Sequence, residues 1–245
     1  MKKTALALCV ALASGAASAD TILGVDATAG MWQPDYSGNI GIDDYNIDNF
    51  NVAKDNNTFL QVALEHPIPL IPNVMLAHSS ISTDGTSMLS SSVTFGDQTF
   101  AADQEVNASL DLTHTDATLY YEILDNWVNL DLGLTARQYK GDLQLTSDMQ
   151  SEDIELNGVL PMAYAMARFD LPFTGWSIIA QGNGTGYKGD TLTDLTAKVR
   201  WNFAPVLDFA VEAGYRSMSL KLKELDDLQS DLTIQGPYLG LNLHL

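Results

Sequence analysis

From Thr21 onward the chain alternates apolar and polar residues, with few stretches of helical spacing. Leu23, Val25, Ala27, Ala29 and Met31 interleave with Gly24, Asp26, Thr28 and Gly30. Val128, Leu130, Leu132, Leu134 and Ala136 interleave with Asn129, Asp131, Gly133, Thr135 and Arg137. The same period recurs at Val106–Leu112, Leu195–Trp201, Phe209–Tyr215 and Leu239–Leu245. A period of two marks strands with one apolar and one polar face. Turn signals divide the chain into ten predicted strands, at about 21–33, 57–66, 73–82, 105–124, 127–141, 157–170, 175–183, 193–203, 207–221 and 232–245. The third and sixth show no clear facing, and the alternation of the fourth changes phase between His114 and Asp116, as a bulge would cause.

The connections fall into two alternating classes. One is short and apolar-aromatic: HPIPLIPN at 66–73, LDNW at 124–127, LPFTGW at 171–176 and FAPVLD at 203–208. The other is longer and polar, at about 34–56, 83–104, 142–156, 184–192 and 222–231. Short turns on one side and long loops on the other are the pattern of an outer-membrane barrel, whose apolar face points outward. Tyr121, Trp127, Phe169, Phe173, Trp176, Trp201, Phe203 and Phe209 all lie near the short turns, where an interfacial aromatic girdle belongs. Trp32, Tyr36 and Tyr215 are expected near the opposite girdle. Asp26, Asp111, Asp131, Arg137, Lys198, Arg200, Glu212 and Arg216 share the polar face; they are costly against lipid but can pair inside a barrel. The expected fold is therefore all-β: a closed antiparallel up-and-down transmembrane β-barrel of ten strands, with eight as the alternative.

Composition narrows the function. Lys plus Arg is 12 against 31 Asp plus Glu, a net charge of −19, which argues against nucleic-acid binding. The start of the chain reads as a cleaved signal peptide, 1–19: Lys2 and Lys3, the apolar run Thr4–Ala13, then Ala17-Ser18-Ala19. Residues 20–245 form the barrel domain. The one cysteine, Cys9, falls in the signal, and Leu8 before it does not suit a lipoprotein site. The expected location is the outer membrane of a Gram-negative cell. Expected partners are its lipid and lipopolysaccharide, and the assembly machinery through the last strand, where Tyr238, Gly240, Leu243 and Leu245 are spaced like the terminal assembly signal.

Five segments carry a family likeness: GVDATAGMWQPDY (24–36), LEHPIPLIPNV (64–74), LDLTHTDATLYYEILDN (110–126), LDLGLTAR (130–137) and GPYLGLNLHL (236–245). On these the chain resembles a gammaproteobacterial family of small outer-membrane β-barrel proteins of unassigned function. The resemblance implies location and barrel fold and brings no catalytic residues.

Chemistry-bearing candidates are few. His66, His78, His114 and His244 form no metal-binding spacing. His114 with Asp111 and Asp116 is the one His–carboxylate cluster, and a hydrolase using it, omptin-like or lipid-modifying, is the enzymatic alternative. The acidic stretch 35–54, with Asp35, Asp43, Asp44 and Asp48 among Asn39, Asn46 and Asn49, has oxygen ligands suited to Ca²⁺ but lacks EF-hand spacing; it reads as a solvated loop. No catalytic, cofactor or metal residue is assigned. Hairpin arithmetic about Pro205 sets Lys198 opposite Glu212. It predicts an interior ion network of Lys198, Arg200, Glu212, Asp26 and Asp131, with Arg137 and Arg216 in a higher layer. Arithmetic about Asp125-Asn126 sets Arg137 opposite His114. The expected role is structural or surface-interacting, in envelope integrity, with a side-chain-plugged lumen; a narrow small-solute channel is the other alternative.

Overall fold

A computed structural model of the chain describes residues 23–40, 52, 56–187, 189–204, 208–225 and 228–245. The predicted signal segment 1–19 with Cys9, and Asp43, Asp44, Asn46, Asp48 and Asn49 of the acidic stretch, lie outside these residues. The strands are β1 (Gly24–Trp32), β2 (Asp35–Ile40), β3 (Asn57–Glu65), β4 (Asn73–Ser79), β5 (Ser82–Met88), β6 (Val93–Phe95), β7 (Gln98–Phe100), β8 (Glu105–Asp111), β9 (His114–Leu124), β10 (Val128–Thr146), β11 (Ser151–Leu171), β12 (Trp176–Tyr187), β13 (Asp190–Ala204), β14 (Phe209–Leu225) and β15 (Leu228–His244).

The wall runs β1-β3-β4-β9-β10-β11-β12-β13-β14-β15 with every pair antiparallel, and β15 returns to β1 through Asp26↔His244 to Trp32↔Tyr238. Ten strands thus close a transmembrane barrel without a free edge, as a bilayer requires. Three strands are interrupted but keep their register. Ser79↔His114 in β4–β9 continues as Ser82↔Asp111 in β5–β8. Tyr139↔His114 continues as Leu143↔Leu110, and Trp32↔Tyr238 as Asp35↔Gln235.

The wall has two polarities. In the half nearer the short turns, Leu132, Leu134, Leu119, Leu195, Leu239 and Leu241 point outward and are exposed, while Asp131, Thr135, Arg137, Asp116, Lys198 and Glu212 are buried inside. That is the inverse of a soluble sandwich, and it needs lipid outside. In the other half the same strand faces exchange character. On β10 the outward side passes from Ala136 to Gln138, Lys140 and Gln144, and the inward side from Arg137 to Leu143 and Leu145. On β15 it passes from Leu239 and Pro237 outward to Gln235, Thr233 and Asp231, with Leu232 and Ile234 buried inside. The lipid boundary therefore lies where the outward face turns polar, and beyond it the barrel continues into water around an ordinary apolar core.

This second half corrects the loop assignments. Within the polar stretches 142–156, 184–192 and 222–231, residues 142–146, 151–156, 184–187, 190–192, 222–225 and 228–231 are strand. The hairpins stay paired to Thr146↔Ser151, Tyr187↔Asp190 and Leu225↔Leu228. The short strands β6 and β7 form a hairpin that places Val93, Phe95 and Phe100 on the apolar cluster with Ile81, Leu110, Leu145 and Ile234. The supposed phase change near His114 is the same boundary. Leu110, Leu112, His114, Asp116, Thr118 and Tyr120 are all buried on one continuous face. The apolar residues switch sides there, and the backbone does not. The register shift of this hairpin lies instead at Leu130/Asp131.

The eight girdle aromatics are all exposed near the short turns, with Trp127 edge-on to Phe169 and Trp176 stacked on Trp201 at 5.8 Å. Trp32 is not part of an outer girdle: it points inward, is 1% exposed, and its indole N–H donates to the Gly236 carbonyl at 3.1 Å. Quenching should separate these groups. In lipid vesicles a fluorescence signal from a Trp32-only variant is expected to resist both acrylamide and brominated lipid, whereas a Trp201-only variant is quenched by brominated lipid.

Candidate functional site

The interior of the lipid-embedded half is the chemically distinctive part of the barrel. Alternation places its residues: every inward position of a strand spanning lipid faces the lumen, where polar groups can satisfy each other. Two inward glycines admit bulky neighbours. A Cβ on Gly214 would come within 2.6 Å of the Tyr238 ring, and one on Gly133 within 2.7 Å of Tyr120 Cβ, so each glycine leaves room for the tyrosine beside it.

Two layers of ion pairs cross the lumen. In the lower, Glu212 is fully buried and accepts from Lys198 Nζ at 2.9 Å, Arg200 Nε at 2.7 Å and Tyr238 Oη at 3.3 Å. Arg200 also reaches Asp26 on β1 at 3.6 Å. The register differs from the arithmetic by two residues: Arg200, not Lys198, lies opposite Glu212, and Lys198 pairs with Gly214. The hairpin closes with Ala204 opposite Phe209, so its midpoint falls beyond Pro205. Lys198 still meets Glu212, diagonally.

In the upper layer Arg137 is 1% exposed and forks onto both Asp116 oxygens, Nε to Oδ1 and Nη2 to Oδ2, each at 2.8 Å. Its Nη2 also donates to Asp194 Oδ2 at 2.7 Å, across the lumen from β10 to β13. Arg216 donates to both oxygens of Asp194, at 2.8 and 2.7 Å, reaches Ser79 on the far wall at 3.1 Å, and lies 4.8 Å over the Trp32 ring. Planar guanidinium groups suit this bridging, since each offers a fork of donors at fixed angles. Above this layer Arg137 Nη1 touches Met218 Sδ, and the apolar cluster begins.

Asp131 does not join the lower layer. It lies opposite Glu122 and Met166, on the wall away from β13 and β14, and its Oδ1 is buried without a hydrogen-bond partner. Arg137 is not opposite His114 either; Asp116 is, and His114 faces Tyr139. The turn is longer than a pair centred on Asp125-Asn126, since Leu124 pairs with Leu130. Asp116 and Asp194, the anions of the upper layer, were not singled out for it from sequence. The inward parity of Asp194 with Lys198 and Arg200 was the available signal.

His114 is 2% exposed. Its Nδ1 lies 2.9 Å from the Leu112 carbonyl, and its Nε2 has no partner among the described residues. Asp116 is engaged by Arg137, and Asp111 accepts from the Thr113 amide at 2.7 Å. His66, His78 and His244 lie apart, and no group of three or more His, Cys, Asp or Glu among the described residues is arranged to hold a metal ion. The cavities narrow along the axis. A chamber of about 380 Å³ at the short-turn end is followed by pockets of about 50 and 70 Å³ around the ion layers.

No protein-family model matches the chain, and no curated protein does. Among solved structures it is similar to the translocator domain of the autotransporter NalP from Neisseria meningitidis, over 99% of this chain and 95% of that one, at 10% sequence identity and a TM-score of 0.44.

Proposed function

We propose that this barrel is a closed, non-enzymatic protein of the Gram-negative outer membrane, with a structural or surface-interaction role in envelope integrity. It is exported by the signal 1–19, and it belongs with the small gammaproteobacterial barrels its sequence segments resemble. The short-turn end faces the periplasm and the extended end stands outside the cell, among lipopolysaccharide. The last strand serves assembly. One observation carries the reading: Arg137 and Arg216 tie Asp116 and Asp194 across the lumen directly beneath an apolar plug. A barrel of this size has an interior that side chains nearly fill, and here they fill it with paired charges. A buried His114 whose neighbouring carboxylates are otherwise engaged supports the non-enzymatic reading.

Planar-bilayer recording on the purified barrel tests the closed lumen. Silence is expected, and discrete conductance steps would favour the channel. In cells, deletion of the gene is expected to raise sensitivity to detergent or chelator. The His114→Ala chain is expected to restore resistance as fully as the unaltered one. Peptide or lipid hydrolysis by the refolded barrel that His114→Ala abolishes would instead identify a hydrolase.

A further inference from the structure

Within lipid the wall is closed, but above the polarity change one seam opens. β11 pairs with β12 from Leu171↔Trp176 to Ala163↔Gly184 and no further. β12 turns into β13 at Tyr187↔Asp190, whereas β11 continues to Ser151 with β10 alone beside it. The Asp170 amide donates to the Trp127 carbonyl at 2.9 Å, and the β10–β11 register holds from there to Thr146↔Ser151 without a shift. In an antiparallel ladder each residue bonds to one neighbour, and successive residues alternate between the two sides. The even-numbered residues of β11 therefore bond to β10, and the odd-numbered ones turn toward β12. Pro161, the next odd position after Ala163, has no N–H to give, and the pairing stops there. Beyond it Val159, Asn157, Glu155, Asp153 and Ser151 hold their amides and carbonyls toward an open side, where no strand among the described residues takes them up. The β6–β7 hairpin touches the strand tip through Gln150 and Glu152 but remains a separate sheet.

The side chains along this edge are also incompletely met. Inward, Ile154, Leu156 and Leu160 are only partly buried against the apolar cluster, and a Cβ on the inward-facing Gly158 would meet nothing within 4 Å. Outward, Asp153 and Glu155 are exposed, and Glu155 lies directly opposite Asp142 on β10. Like charges so placed repel, and no ion pair reaches any of the three among the described residues. We infer that the free edge of β11, Ser151–Val159, takes up an extended segment of another protein as an added antiparallel strand, one that alternates Lys or Arg with apolar residues.

Each half of that pattern answers a feature of the edge. The odd-numbered residues carry both the free backbone groups and the outward side chains. Cations of the incoming strand therefore lie opposite Asp153 and Glu155 while the two backbones bond. Its apolar residues turn inward, onto Ile154, Leu156 and the space at Gly158. The edge spans about 25 Å at ~3.3 Å per residue, enough for a strand of ordinary length, ~5–6 residues. A second copy of the barrel does not fit, because two such edges laid together bring their own carboxylates face to face. Charges on an edge block self-pairing in this way, and they leave it open to a strand of opposite sign.

The test uses the full barrel, refolded in zwitterionic micelles, and the end-blocked peptide Val-Lys-Val-Lys-Val-Lys-Val carrying a fluorescent label. Anisotropy at physiological salt is expected to show saturable binding of one peptide per barrel. N-methylation of the lysine amides, which face β11, should weaken binding about tenfold or more, because several backbone hydrogen bonds are lost together. The same change at the valine amides, which face away, should leave it intact. Asp153→Asn with Glu155→Gln, verified as folded by heat-modifiable gel mobility, should weaken binding about fivefold, and Asp231→Asn on β15 should change nothing. No saturable binding, or equal binding of the peptide with methylated lysine amides, would overturn the proposal. So would undiminished affinity in the doubly neutralised barrel. Rapid disulfide formation between Asn157→Cys copies would overturn it in favour of self-association.

Discussion

Replacing Arg137 by Met is expected to be among the most damaging single substitutions in the barrel. Arg137 is 1% exposed and holds Asp116 through two hydrogen bonds and Asp194 through a third. Met fills similar volume but supplies no donor. Removing one partner of a buried ion pair typically costs ~3–5 kcal/mol, because the remaining charge stays buried without compensation. The carboxylate left without a partner is Asp116. Asp194 keeps Arg216 at 2.7 Å, whereas no other ion pair reaches Asp116 among the described residues. Asp116→Asn added to Arg137→Met should therefore recover a substantial part of the loss. Arg137→Lys should fall between, since one ammonium cannot reproduce the fork. Urea unfolding in lipid vesicles, followed by tryptophan emission, measures all four barrels. A loss below about 1 kcal/mol for Arg137→Met, the scale of a solvent-exposed pair, would mean that water reaches this layer freely.

The second large effect belongs to the outer surface. Leu132 lies in the middle of the apolar outward run of β10, between Leu130 and Leu134. Arg at a lipid-facing position near the bilayer midplane costs ~2–4 kcal/mol, falling toward zero near the interfaces. Leu132→Arg should show that full cost. Gln144→Arg shares the same strand face but lies beyond the polarity change, so it should cost little. The comparison holds residue type, strand and face constant and varies only height. Equal effects at the two positions would contradict a lipid boundary between them.

The alternation of β1, β10, β13 and β15 makes the barrel legible without coordinates, because each has a stretch with apolar residues on one face and polar or charged ones on the other. The third and sixth predicted strands were ambiguous for a physical reason. On β11 the lipid-facing residues are Ala163, Ala165 and Ala167, while the bulkier Met162, Tyr164 and Met166 face the lumen. Side-chain size therefore runs against facing. In sequence the extended half reads as loops because its outward residues, such as Asp142, Gln144, Asp153 and Glu155, are those of a solvated surface. Its inward Leu143, Leu145, Ile154 and Leu156 form a strand pattern of opposite sense. Asp26, Lys198, Arg200, Glu212, Arg137 and Arg216 follow from parity, which also draws in Asp131, absent from both layers, and leaves out Asp116 and Asp194. The pairings do not, because a shift of two residues in hairpin register leaves facing unchanged while exchanging every neighbour. Cross-lumen contacts, such as Arg137 with Asp194, depend on closure and are invisible to hairpin arithmetic.

The central claim is a wall that is inverted within lipid and conventional beyond it, on one unbroken strand. A cysteine scan of β10 tests it most directly, since residues 10–245 contain no cysteine of their own. Each position from Leu130 to Thr146 would carry a spin label in a refolded, vesicle-embedded barrel, with collision rates measured against oxygen in lipid and a nickel chelate in water. The account predicts lipid contact at Leu130, Leu132, Leu134 and Ala136, then water contact at Gln138, Lys140 and Gln144. Shielding from both is predicted at Arg137, Leu143 and Leu145. Lipid contact at Leu143 and Leu145, or a lipid signal continuing through Gln144, would contradict it.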